Sequence, residues 1–322
     1  MWGLIGTWRM ALEGIQSAST YLDATDNVEE AVVSAIQAVE DYPYYKSVGY
    51  GGLPNQNGDV ELDAGFMDGD TLAIGGVAGI KDFKNPIAIA YALTKEPANN
   101  LLVDRGAEHY GTMHHFERRT MLSDRAQIHY ENRLAELTKK QLLVPYAGHD
   151  TVGITGTNRR GHVVAGTSTS GLFMKHPGRV GDSPVFGAGL YADSDWGGAT
   201  ITGMGEDVMK GALSYEVVRR MQHQSPQAAV ESALADFNRR FEKRGQKLRD
   251  VSIVAMNPAG DWGVATNIRD FSCVVATAMQ DATVYVVNAT RSGMQIEPAS
   301  EAWLAQYMAE RQSPLKRYRN EE

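Results

Sequence analysis

Residues 147–158 read AGHDTVGITGTN and residues 162–170 read HVVAGTSTS. Both are runs of β-branched and small residues, and Asn158-Arg159-Arg160-Gly161 stands between them. The pair predicts a β-hairpin whose first strand begins at Thr151. A residue at a strand terminus is held rigidly yet stays reachable, which suits a reacting group. A Thr hydroxyl is a weak nucleophile and needs a base within hydrogen-bond reach. If Thr151 were the first residue of a chain, its own α-amine, with a pKa of roughly 8, would supply that base. Such an end requires a break at Asp150-Thr151. The hydroxyl would attack the preceding carbonyl, the acyl group would pass from nitrogen to oxygen, and water would release the fragment. His149 and Asp150 flank this bond, and Asp150 is the expected source of a base or of strain for the first step. A Thr opening a strand is ordinarily only a strand residue, so the neighbouring residues have to decide.

Thr169 ends the partner strand, and a hairpin can bring it near Thr151. The loop HPGRVGDSP follows, with Arg179 and Asp182 three apart around Val180 and Gly181. Together they can hold a zwitterion, Arg179 forking onto an α-carboxylate and Asp182 accepting from an α-ammonium. A structural Arg-Asp pair in a tight turn fits the same residues. Next, Thr202-Gly203-Met204-Gly205 leads into a helical stretch opening on Glu206 and Asp207. A Gly-rich turn at a helix start points N–H groups outward. There the Gly203 N–H and the Thr202 hydroxyl can form an oxyanion hole. A plain turn into a helix is the ordinary reading. The run GAGLYA at 187–192 matches a dinucleotide-binding spacing, but Pro184 precedes it and ADSDWGGA follows, so the required strand and helix are missing. His109, His114 and His115 lack metal-ligand spacing.

Farther out, GLIGTW (3–8) reads as a buried strand in which Trp8 is by default a core aromatic. Asp26 with Glu29 predicts a capped helix through Val39. LDAGFMDG and TLAIGGVAGI predict two strands, Asn85-Pro86 opens a helix, and LLVDRG gives another short strand. Residues 105–148 are rich in charge and histidine. They are expected to be a mobile segment holding a surface helix at about 124–140. In the second half, one helix is expected from Glu206 to Met221 and another from Ser225-Pro226 to near Gly245. Hairpins are expected around 258–261 and 280–281. Strands with two helices in the middle of each half imply sheets covered by helices on their outer sides.

The chain has 322 residues, 43% of them hydrophobic, a formal net charge of −8 and one cysteine, Cys273. It can bury a sizeable core. The net charge argues against nucleic acid or an anionic membrane surface as partner. One cysteine excludes an intrachain disulfide and a paired-cysteine metal site. The start MWGLIGTWRMALEG lacks a signal-peptide pattern, and no apolar stretch reaches membrane-spanning length. A soluble, cytoplasmic protein is expected.

Several blocks share one resemblance: GTW (6–8), SVGYGG (47–52), LDAGFMDG (62–69), HDTVG (149–153), GTSTSG (166–171), GRVGDSPVFGAGLYAD (178–193) and TGMGE (202–206). In these the chain resembles the glycosylasparaginases, within the N-terminal-nucleophile asparaginases. The resemblance implies an α+β fold, a four-layer αββα sandwich spanning 1–322 as a single domain. It implies self-cleavage into an α chain, 1–150, and a β chain, 151–322, with a C-terminal extension from about 291. It implies Thr151 as nucleophile and Thr169 as its assistant. Arg179 and Asp182 would bind the aspartyl part, with Val180 and Gly181 in the same loop. Thr202 and Gly203 would form the oxyanion hole, beside Met204 and Gly205, and Trp8 would line the substrate funnel. The substrate would be a small molecule, N-glycosylated asparagine split to aspartate and a glycosylamine. Alternatively, asparagine or a β-aspartyl dipeptide would be cleaved by the same machinery. No cofactor and no metal are implied, and the assembly would be a homodimer of cleaved α/β units. The sequence departs from the pattern at Met204, where the family often has His, and at Pro177.

Overall fold

The computed structural model describes residues 1–140 and 150–317. His149, expected beside the cleaved bond, lies outside the described residues.

Two antiparallel-rich sheets organise the described chain. At the centre of the larger one, β1 (Gly3–Thr7) runs antiparallel to both β5 (Val152–Thr157) and β11 (Phe271–Thr277). Beyond β5 lie β6 (Val163–Thr169), β2 (Leu62–Asp68), β3 (Ile74–Ile80) and the parallel edge strand β4 (Leu101–Val103). Beyond β11 lie β12 (Gln280–Thr290) and β13 (Gly293–Pro298). The smaller sheet orders β7 (Leu190–Asp193), β8 (Gly197–Gly203), β9 (Val251–Met256) and β10 (Trp262–Thr266) by sequence neighbours.

Strand alternation explains the packing. Side chains of successive strand residues point to opposite faces. On β1, Leu4 joins the cluster beneath α1 (Leu12–Thr25), α2 (Val28–Glu40) and α3 (Pro86–Leu93), together with Ile15, Leu22, Ile36 and Ile87. Ile5 instead meets Val254, Val264 and Val275 between the sheets. The smaller sheet buries Ile201 and Ile253 against Val217 of α7 (Leu213–Arg220) and Phe237 of α8 (Pro226–Glu242). The expectation of sheets with helices on their outer faces matches this arrangement.

Small residues let the sheets approach. A Cβ on Gly153 would lie 2.6 Å from Thr200 Cβ, and one on Gly198 would lie 2.2 Å from Thr155 Oγ1. β5, which carries Thr151 at its start, is thereby pressed onto β8, which ends at Thr202-Gly203.

Several expectations need correction. The helix α1 has no counterpart in the sequence reading, because its buried face is Gly14, Ile15, Ala18 and Leu22, too small to stand out. Its small residues serve contact with α2: a Cβ on Gly14 would sit 2.3 Å from the Ala35 carbonyl oxygen. Asp26 is the left-handed C-cap of α1, and the residue capping α2 is Asn27, whose side chain accepts from the Glu30 N–H. The stretch expected to be mobile contains α4 (Asp104–Met113), while α5 (Asp124–Lys140) falls where a surface helix was expected. The helix expected over 206–221 is two, α6 (Gly205–Gly211) and α7, broken at Ala212 in a left-handed conformation. The tail after 291 adds β13 to the sheet edge and then α9 (Glu301–Gln312), capped by Ser300, whose side chain accepts from the Trp303 N–H. Among the described residues no helix is long and apolar enough to cross a membrane.

The sheet contact yields a stability prediction. Gly198→Ala forces the sheets apart at Thr155, and overpacking of this kind costs about 1–3 kcal/mol. Thermal unfolding of the variant is expected at a clearly lower Tm than that of the native chain; an unchanged Tm would mean that the sheets adjust freely.

Candidate active site

Thr151 is buried, at 5% exposure, immediately before β5. Three neighbours fix it. The Thr7 hydroxyl donates to the Thr151 carbonyl at 2.6 Å and accepts from the Gly153 N–H at 2.9 Å, tying the start of β5 to the end of β1. The Thr151 N–H donates to Thr202 Oγ1 at 3.1 Å. The Thr151 hydroxyl lies 3.2 Å from the Ser183 hydroxyl. The indole N–H of Trp8 also donates to Thr202 Oγ1, at 3.0 Å. With both lone pairs of Thr202 Oγ1 taken, its own proton is left to donate elsewhere. Trp8 therefore acts as more than a core aromatic. It has a positive φ of 64°, a conformation that costs roughly 1–3 kcal/mol in a non-glycine residue. Its N–H donates to the Ser272 carbonyl at 2.7 Å, and its ring meets Phe271 edge-on at 4.8 Å.

Thr169 closes β6. Val152 faces Ser168 across the ladder, which sets the Thr151 and Thr169 ends of the hairpin side by side. The Thr169 hydroxyl donates to the Ser47 carbonyl at 3.1 Å and accepts from the Gly171 N–H at 3.0 Å. On the same strand, the Thr167 hydroxyl donates to the Ser183 carbonyl at 2.6 Å. That bond docks the 178–183 loop beside Thr151.

Arg179 and Asp182 both face this region, in different states. Arg179 donates from Nε and Nη2 to the two carboxylate oxygens of Glu206, at 2.9 and 2.8 Å. The fork expected to hold a ligand carboxylate is thus engaged by a protein carboxylate, leaving the Nη1 side directed over Gly181 and Gly171. Asp182 is 3% exposed, and its Oδ2 is buried with no hydrogen-bond partner. Burial pushes its carboxyl up to about 7, against the nearby Arg179 charge that pulls it down. Gly205 admits this packing, since a Cβ there would lie 2.9 Å from Asp182 Oδ1. Val180 lies half-buried between Arg179 and Gly181 on the loop. Gly203 has φ 147°, and a Cβ on it would come within 2.2 Å of the Asp250 carbonyl oxygen. The Met204 N–H donates to that same carbonyl at 2.8 Å, so the turn does not present every N–H to a ligand. Asp150 lies apart from this cluster, its carboxylate 3.9 Å from Arg311 Nη2.

A strand-terminal Thr held by three hydroxyls, beside an arginine and a buried carboxyl with one oxygen unpartnered, can support nucleophilic acyl transfer and recognition of a zwitterion. A family described as asparaginase matches residues 8–286. The chain belongs to that asparaginase family. An N(4)-(beta-N-acetylglucosaminyl)-L-asparaginase from Elizabethkingia miricola is 34% identical over 81% of this chain and 77% of its own length. An isoaspartyl peptidase/L-asparaginase from Mus musculus is 31% identical over 78% of the chain and 77% of its own. A plant-type L-asparaginase from Pyrococcus abyssi is 34% identical over 76% and 81% respectively. This asparaginase-family chain is a hydrolase of amide bonds, an amidohydrolase acting on asparagine derivatives.

The sequence reading of this asparaginase-family site passed over Thr7, Ser183 and Glu206 as participants. Each stands inside a quoted block, GTW, GRVGDSP or TGMGE, yet only the folded register shows which of their atoms touch. The GAGLYA run leads into β7, paired with β8, and no helix follows it.

The burial of Asp182 has a pH consequence. A carboxyl raised on folding keeps its proton longer in the native state, so its contribution to stability is present at low pH. That contribution is lost as pH rises from the unfolded value near 4 toward about 7. Asp182→Asn is expected to flatten that decline when unfolding is followed between pH 4 and 7.5. Parallel profiles for variant and native chain would show that Asp182 is already ionised in the fold.

Proposed function

We propose that the chain breaks its own backbone before Thr151 and then uses Thr151 as the nucleophile against the side-chain amide of asparagine derivatives. The observation that carries this reading is the environment of Thr151, a buried hydroxyl at a strand start whose nitrogen and oxygen each meet another hydroxyl. In the first reaction Thr151 Oγ1 attacks the Asp150 carbonyl carbon and the C–N bond breaks. Water then cleaves the ester, leaving a carboxylate on Asp150 and an α-amine on Thr151. His149 and Asp150 are the flanking residues assigned to this step. In the second reaction that amine takes the hydroxyl proton as Thr151 attacks the amide carbon of the substrate. The leaving amine takes the proton away, and water releases aspartate and restores the hydroxyl.

Thr202, through its uncommitted proton, and the Gly203 N–H stabilise the oxyanion. Thr169 orders the region beside the amine. Arg179 meets the substrate α-carboxylate from its Nη1 side with Glu206 bracing it. Asp182 accepts from the α-ammonium, whose charge favours the ionised carboxylate. Trp8 lines the approach. The layering of helices, sheet, sheet and helices supports a four-layer αββα N-terminal-nucleophile sandwich. We read it as one domain cut into 1–150 and 151–322, with the tail from about 291 as an extension. A homodimer of cleaved units in the cytoplasm is the proposed setting.

The leaving group is read less tightly than the aspartyl half. A glycosylamine is the first reading, from the sequence blocks and the similarity to the E. miricola protein. An amino acid, from a β-aspartyl peptide, is the second, supported by the similarity to the M. musculus protein.

Thr151→Ala is expected to remain a single chain without amidase activity, and Thr151→Ser to retain part of both reactions. Intact mass and amino-terminal sequencing decide this: an active preparation with no end beginning Thr-Val-Gly-Ile refutes the scheme. Arg179→Lys loses the planar fork to Glu206 and should raise KM for the aspartyl substrate about tenfold or more. An unchanged KM removes Arg179 from substrate binding.

A further inference from the structure

Beneath the loop that carries Arg179 lies a buried charged pair that the two reactions do not use. Lys175 is 2% exposed and stands between β6 and Arg179 in the chain. Its Nζ donates to the Glu61 carbonyl at 3.3 Å and lies 3.6 Å from Glu61 Oε2. Glu61, just before β2, is buried as well. Nearby, Asp63 is fully buried: Oδ1 accepts from the Gly79 N–H at 2.8 Å, and Oδ2 has no hydrogen-bond partner. Burial pushes the Asp63 carboxyl up, while the charges of Lys175 and Arg179 pull it down. A lysine so deep among carboxyls is costly unless its charge is put to use.

The pair reaches Arg179 by two routes. The first is the backbone. His176-Pro177-Gly178-Arg179 is a tight turn in which the Arg179 N–H donates to the His176 carbonyl at 3.0 Å and Gly178 has φ 79°. Closing the turn in this way leaves the Gly178 N–H to an acceptor outside it. Both Glu61 carboxylate oxygens take that N–H, at 2.9 and 3.1 Å. Pro177 and Gly178 are exposed, so Glu61 moors the turn from its inner side. The second route is electrostatic. A Cβ on Gly171 would lie 3.2 Å from Lys175 Nζ and 3.3 Å from Arg179 Nη1, so the two cations flank one spot. Like charges that close repel strongly where water is scarce. Each is answered by an anion on its far side, Lys175 by Glu61 and Arg179 by Glu206. The guanidinium is drawn toward Glu206 and pressed from behind by the ammonium, which sets the direction of its remaining edge. Lys175 itself is too deep to touch a ligand.

We propose that Lys175, together with Glu61, is a positioning residue for Arg179: the pair sets the guanidinium that reads the α-carboxylate of the aspartyl half, and so governs substrate affinity without entering the chemistry. The proposal rests on the role given to Arg179 under the proposed function and extends it to the residues that hold Arg179 in place.

The test uses processed protein with asparagine and N-acetylglucosaminyl-asparagine, which share the aspartyl half and differ in the leaving group. Lys175→Met keeps the length of the side chain and removes its charge. It should raise KM about tenfold, by the same factor on each substrate that the native enzyme cleaves, with kcat changed by less than about twofold. Because this variant leaves Glu61 buried without its cation, Lys175→Met/Glu61→Gln is measured beside it. The double variant removes both charges, retains an acceptor for the Gly178 N–H, and should keep the native Tm while KM stays raised. Placed on Arg179→Lys, the same two changes should add less than about twofold to KM, since the residue they act through is already lost. A native KM in the double variant, a loss that falls on kcat, KM factors that multiply on Arg179→Lys, or a double variant that does not fold each overturns the proposal. Arg179→Lys with a native KM overturns the reading of Arg179 instead, and hydrolysis of neither substrate by the native chain overturns the function on which both rest, so the failures are distinguishable.

Discussion

The hydroxyl of Thr202 is the junction on which the site depends. It accepts from the Thr151 N–H and from the Trp8 indole, so one oxygen joins the start of β5, the end of β8 and the turn after β1. Those segments belong to two different sheets, and their meeting requires that the sheets be close. Gly153 against Thr200 and Gly198 against Thr155 leave no room for a methyl group. Packing between sheets and geometry at Thr151 are therefore one constraint. A change that separates the layers also moves the oxygen that faces the Thr151 nitrogen.

Burial gives the site its electrostatic character. Asp182 sits with one oxygen unpaired, in a pocket that disfavours its charge, while Arg179 is braced by Glu206. A buried acceptor without a donor is costly by itself. In the proposed function a ligand ammonium would supply that donor, and discrimination would come as much from the penalty of leaving Asp182 empty as from the bond it makes when filled.

Much of this was legible in the residues. The hairpin around Asn158-Arg159-Arg160-Gly161, the strand at GLIGTW, and the helices at Pro86 and Pro226 follow from periodicity and turn chemistry, and they stand where expected. The hairpin sets Thr169 at the end of the strand beside Thr151, as its turn suggested, and Thr202 meets Thr151 through a hydrogen bond. What stayed hidden depends on long-range register. The role of Thr7 requires β1 to pair with β5, 144 residues away. The engagement of Arg179 by Glu206 spans 27 residues and a loop. The helix α1 escaped because close contact with α2 selects Gly14 and Ala18 over bulky apolar residues. The break at Ala212 escaped because the apolar stripe from Val208 to Met221 runs through it without interruption.

The position of β1 has a consequence for what a cut would leave behind. It belongs to the segment before Thr151, yet both of its neighbours, β5 and β11, belong to the segment after it. The two polypeptides would be interleaved, and separating them would mean tearing the large sheet through its middle. Severing the backbone would thus create a new chain end without creating a subunit boundary. The pair would melt together as one cooperative body. Once unfolded, however, it would have to find itself again through a bimolecular encounter, so that reassembly, unlike the first folding, would depend on concentration.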